Sequence, residues 1–140
     1  MSTFEIDGLD QYDYDDNLAF DEGQEFTFDE GKSGSVTFFC RWLSPENEKY
    51  TNGAAVQAVA EKGEDLSKEE GRRLFAELVH DTCIASWSTT MKSGGQPIAA
   101  NRDNFVGFVT SKKGSVIFDK LCRQATQRES FQLKRQAVKN

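Results

Sequence analysis

The sequence predicts an α+β fold: a mostly helical single domain with an N-terminal β-hairpin and a disordered acidic N-terminal arm. Three observations predict it. Residues 24–30 alternate polar and apolar with Phe26 and Phe28 on one side, and residues 35–43 are rich in β-branched and aromatic side chains. Gly31-Lys-Ser-Gly34 between them is turn material, so the two runs form a hairpin. Beyond residue 67 the apolar residues recur at three, four and seven, the spacing of a helix face.

The arm comes first. Residues 1–31 hold eleven acids and no Lys or Arg. Asp13, Asp15, Asp16, Asp21 and Glu22 stand among Tyr12, Tyr14 and Phe20. Residues 1–22 therefore read as a flexible, solvated arm, or as one that orders on a basic partner or on the chain's own basic end. Residues 23–131 form the domain, and residues 132–140 a basic tail. A lone hairpin is marginal in water, so this one must lie on a helix or join another sheet edge. Ser44-Pro45 signals a helix start, and a thin helix over 45–61 follows, with Tyr50, Ala54, Val56, Ala58 and Val59 as buried candidates.

Ser67-Lys-Glu-Glu70 is a capping box. The helix it opens runs to about residue 86, with Leu74, Phe75, Leu78, Val79 and Ala85 on its core face. Residues 87–100, with Gly94-Gly95 and Pro97, read as a connecting loop. Asn101 caps a short helix bearing Phe105, Val106, Phe108 and Val109. Lys112-Lys-Gly114 breaks it, and Ser115 caps a last helix with Ile117, Phe118, Leu121, Cys122 and Ala125 as its stripe. From about Gln127 the chain frays.

Composition narrows the chemistry. Cys40, Cys83 and Cys122 are odd in number and widely spaced, so they make no disulfide framework, and a reducing compartment fits. No secretory signal and no membrane-length apolar run occurs, which predicts a soluble, intracellular protein. His80 and Cys83 share a helix face, but two ligands are too few for a metal site. Asp13, Asp15 and Asn17 begin like a calcium loop, yet Leu18 and Gln24 stand where it needs Gly and Glu. Gly31-Lys-Ser lacks the first glycine of a P-loop, whose place Phe26 takes. The basic C-terminal stretch reads as a solvated helix face rather than a nucleic-acid site. No catalytic residue, metal or cofactor is expected.

The order of certain residues carries a resemblance. Arg41-Trp-Leu-Ser-Pro45 leads into a charged helix with Lys49-Tyr50. An amphipathic helix ends in Ala85-Ser-Trp-Ser88. Gly94-Gly-Gln-Pro-Ile98 precedes Asn101 and a short aromatic helix, and a final helix ends with Phe131. Over about residues 35–131 this resembles the tail assembly chaperones of long-tailed bacteriophages. The long acidic arm lies outside that pattern, and Ser88-Thr-Thr90 stands where a Gly usually follows the Trp. The resemblance implies a non-enzymatic protein of the host cytoplasm that binds the tape measure protein and assists tail tube protein in polymerising around it. Self-association is a further partner reading. Phe105, Val106, Phe108 and Val109 supply more apolar surface than one short helix buries, so part of this cluster with Trp87 is the candidate partner-binding surface; the competing expectation is that all five are core. Two other functions fit the sequence: a minor structural protein of the tail, and an acidic DNA mimic or inhibitor.

Overall fold

Phe26 and Phe28 point to one side of a strand and Glu25, Thr27 and Asp29 to the other, so the alternation has one buried and one wet face. The computed structural model describes residues 13–52 and 67–132. In it this strand, β1 (Gln24–Asp29), pairs antiparallel with β2 (Ser35–Cys40), which buries Val36, Phe38 and Cys40 on the same face. A 3-10 turn, Gly31–Ser33, joins them. Gly34 leaves it at φ 108°, where a side chain is strained and would also meet the Thr90 hydroxyl at 2.7 Å.

The hairpin does join another edge. A third strand, β3 (Ile84–Thr89), pairs antiparallel with β2 and gives the order β1-β2-β3. This corrects the expectation of a helix to residue 86 and a loop over 87–100. The helix, α2 (Lys68–Thr82), ends four residues earlier, and its end is marked by Thr82 Oγ1 donating to the Leu78 carbonyl at 2.7 Å. Ala85, expected on its core face, is an exposed strand residue. Ala85 is also the extra residue of a bulge: Phe39 opposes Ser86, while Cys40 opposes Ile84. The bulge turns both Ile84 and Trp87 inward, three residues apart, which imitates helical spacing. A two-residue turn at Gly94 and Gly95, both with positive φ, then closes a small hairpin of β4 (Lys92–Ser93) and β5 (Gln96–Pro97).

The helix starts follow their caps. Ser67 Oγ accepts from the Glu70 N–H, and the Glu70 carboxylate accepts from the Ser67 N–H, so the capping box opens α2. Asn101 Oδ1 accepts from Asn104 N–H at 2.8 Å and opens α3 (Arg102–Thr110). The last helix, α4 (Gly114–Ala125), starts one residue before Ser115, and its first N–H is met by Ser111 Oγ at 3.0 Å; Ser115 is not its cap. Ser44 directs the turn before α1 (Glu48–Asn52), which begins three residues after Pro45. The expected positions Ala54, Val56, Ala58 and Val59 lie outside the described residues.

The two ends of the described chain fold onto the sheet. Residues 13–22 are not a separate arm: Asp15 N–H donates to the Phe131 carbonyl, Tyr14 bridges Gln132, and Ala19 is fully buried in a π-helical turn, Asn17–Asp21. The rest of the proposed arm, residues 1–12, and the tail beyond Gln132 lie outside the described residues. Gln127 does not begin a frayed end, because a 3-10 turn, Arg128–Phe131, buries Phe131 between Phe26 and Trp42. On the buried face Phe38 meets Phe105 of α3 edge-on at 5.9 Å, and Phe105 meets Phe118 of α4 at 6.1 Å. This aromatic chain couples the sheet to the helical layer. Among the described residues no helix is long and apolar enough to cross a membrane.

Candidate partner-binding groove

Five residues were candidates for a binding surface, with burial in the core as the competing expectation, and the fold brings them together and turns most of them inward. Trp87, Phe105 and Val109 are core residues, with Phe105 completely buried. The reason is geometric. Trp87 is swung inward by the bulge and stacks on Phe38 at 6.2 Å, while Phe105 lies over the centre of the sheet. Val106 and Phe108 are half-buried, and Phe108 stacks on Trp87 at 6.3 Å. Trp87 Nε1 is buried without a hydrogen-bond partner among the described residues. Of the acidic set, Asp13, Asp16, Asp21 and Glu22 are exposed. Asp15 is half-buried and spends its carboxylate on the backbone, accepting from Asn17 N–H at 2.9 Å and Leu18 N–H at 3.3 Å.

Another apolar surface reaches solvent between the helices. Phe75, 36% exposed, stands on α2 beside Phe118 of α4, with ring centroids 5.8 Å apart. Together with Val109 and Cys122 they floor an open groove of about 500 Å³ between α2, α3 and α4. Arg72, Asp119 and Arg123 stand along its walls. A second, more polar depression adjoins it through the shared residues Arg72 and Thr110 and reaches Val106 and Asp103. An apolar floor with charged walls suits the apolar stripe of a partner helix: the floor supplies contact, and the walls orient. Periodicity put Phe75 in the core.

Asp81 accepts from Arg102 through both oxygens at 2.9 Å, and His80 Nδ1 lies 3.0 Å from it. The Arg102 hydrogen bonds are the largest of the influences that hold the Asp81 carboxyl below its ordinary range, so it is a weak base committed to an ion pair. Burial pushes the Cys83 thiol up to about 11 and the Cys122 thiol up to about 12, and Cys40 also well above the ordinary value. All three stay protonated and poorly nucleophilic near neutral pH. Among the described residues no group of three His, Cys, Asp or Glu side chains is placed to hold a metal ion. Comparison with known proteins gives no match to a family model, to a curated protein or to a solved structure.

Proposed function

We propose that this protein is a non-enzymatic assembly chaperone, of the kind that serves the tails of long-tailed bacteriophages in the host cytoplasm. In this reading it holds an apolar helical face of the tape measure protein and keeps it soluble while tail tube protein assembles. The groove floored by Phe75, Phe118, Val109 and Cys122 is the observation that supports it most. Phe75 at the surface and the half-buried Cys122, over the buried Phe118 and Val109 and between walls of both charges, form a seat for an amphipathic helix. The order of motifs from Arg41 to Phe131 supplies the identity of the partner, by resemblance alone.

Co-expression with a tape measure protein, followed by co-purification, tests this reading. Phe75→Asp places a charge on the groove floor at a partly exposed position. It should cut recovery of the complex at least tenfold, since burying an unpaired charge costs several kcal/mol, and should leave the circular dichroism of the free protein unchanged. Val116, 54% exposed and outside the groove, supplies the control: Val116→Asp should bind as the parent does. Equal recovery with Phe75→Asp and the parent would remove the groove from the function. Failure of the parent to keep the tape measure protein soluble would remove the function itself.

A further inference from the structure

An open sheet has two edges, and this protein treats its two differently. β1 carries Glu25 and Asp29, both exposed, on its outward side. Charges at an edge are a common guard against pairing with another chain. β3, Ile-Ala-Ser-Trp-Ser-Thr, has no charged residue and no proline over six residues. Two hydrogen bonds fix which of its backbone groups remain open. Thr90 N–H donates to Ser35 O at 2.9 Å at one end of the ladder, and Arg41 N–H to Cys83 O at 2.7 Å at the other. In an antiparallel ladder the bonded residues alternate, so Ser86 and Ser88 face β2, and the N–H and C=O groups of Trp87 and Thr89 face away from it. No strand among the described residues pairs with that side.

We propose that the β3 edge is a self-association surface, where two copies of this chain pair β3 to β3, antiparallel about Trp87, into one six-stranded sheet. Self-pairing is favoured over pairing with β1 of another copy for two reasons. A twofold pair closes on itself, whereas β3 on β1 would propagate without end. The uncharged strand also opposes itself without repulsion: Ser86 faces the partner's Ser88, and the Lys92 residues that follow each strand lie at opposite ends of the pair. The outward side chains are small and meet no bulk across the seam. A strand of six residues buries less than a permanent dimer needs, so the dimer exchanges with monomer. No β3 residue lines the groove, and this pairing is independent of its use.

Sedimentation velocity over a concentration series tests the pairing on the full chain. The parent should pass from monomer to dimer as its concentration rises to roughly 100 µM, because association is driven by mass action. Ser86→Lys with Ser88→Lys puts lysine opposite lysine twice in the pair, and the dissociation constant should rise roughly tenfold or more. Both serines are exposed, so circular dichroism and the melting midpoint should stay with the parent. Ser86→Glu with Ser88→Glu should be defective in the same way, and an equal mixture of the two variants should recover a heterodimer. A parent that stays monomeric at roughly 100 µM overturns the proposal. So does a lysine variant that dimerises like the parent, or a mixture that stays monomeric.

Discussion

Gly114 shows how one residue sets the geometry of the helical layer. The joint between α3 and α4 is only three residues long, and it turns so tightly that a Cβ at Gly114 would collide with the Phe108 carbonyl oxygen and lie 2.7 Å from Ser111 Oγ. Backbone on one side and the capping hydroxyl on the other leave no soft neighbour to yield. Gly114→Ala should therefore cost about 1–3 kcal/mol, the range for overpacking a tight site. Gly71, inside α2 with nothing within 4 Å of its would-be Cβ, is the opposite case. Gly71→Ala should stabilise the protein by about 0.5–1 kcal/mol, because alanine loses less backbone entropy in a helix. Urea denaturation measures both, and opposite shifts of the midpoint are the expected result. Equal shifts would mean that the joint relaxes freely.

At the scale of elements, the Asp81–Arg102 pair ties the last turn of α2 to the first turn of α3. Asp81 is held below its unfolded value, chiefly by the Arg102 hydrogen bonds. Its contribution is therefore fully present above the unfolded carboxylate value, about 3.9, and is lost as pH falls through the lowered folded value. Both partners are more than a third exposed, so the pair is worth about 1 kcal/mol at most. Arg102→Ala should lower stability at pH 7 by that amount or less, and the gap from the parent should close in strong acid. A gap that persists at pH 2 would mean that Arg102 acts by packing. The same scale explains what was legible in the sequence. The hairpin, the capping box of α2 and the Asn101 cap are local patterns, and the chain between each signal and its structure is short. β3 was not legible, because an antiparallel strand with a bulge spaces Ile84 and Trp87 as a helix would, and its partner β2 lies more than forty residues earlier. The groove was hidden for a related reason. The sequence identifies Phe75 as apolar, but only the way α2, α3 and α4 meet decides that it stands at the edge of their contact.

At the scale of the molecule, the two ends of the described chain close the fold. Phe131 is fully buried, 6.1 Å from Phe26 and 6.2 Å from Trp42 by ring centroids, and Trp42 in turn lies 4.9 Å from Tyr14. The same corner is laced by backbone: Asp15 N–H to Phe131 O, Trp42 N–H to Ala19 O, and Leu43 N–H to Ala125 O. The Phe131 side chain thus packs on β1 and on the residues after β2, and its backbone carbonyl holds Asp15. Removing it leaves a cavity with walls drawn from separate stretches, which have no common backbone along which to collapse. Phe131→Ala should accordingly cost about 3–5 kcal/mol, toward the upper part of the range for buried phenylalanine. The loss should appear as a lower urea midpoint with an unchanged slope, and Trp42 emission should shift to the red as water gains access to the ring. The serine next to it gives the comparison. Ser130 Oγ donates to the Gln124 carbonyl at 2.8 Å, and Ser130→Ala, which removes one partly exposed hydrogen bond, should cost about 1 kcal/mol or less. If the two variants prove equally mild, the C-terminal turn is an appendage and the core ends at α4. If Phe131→Ala is the severe one, the Arg128–Phe131 turn is as much part of the core as the sheet, and the corner it shares with residues 13–22 folds together with the rest.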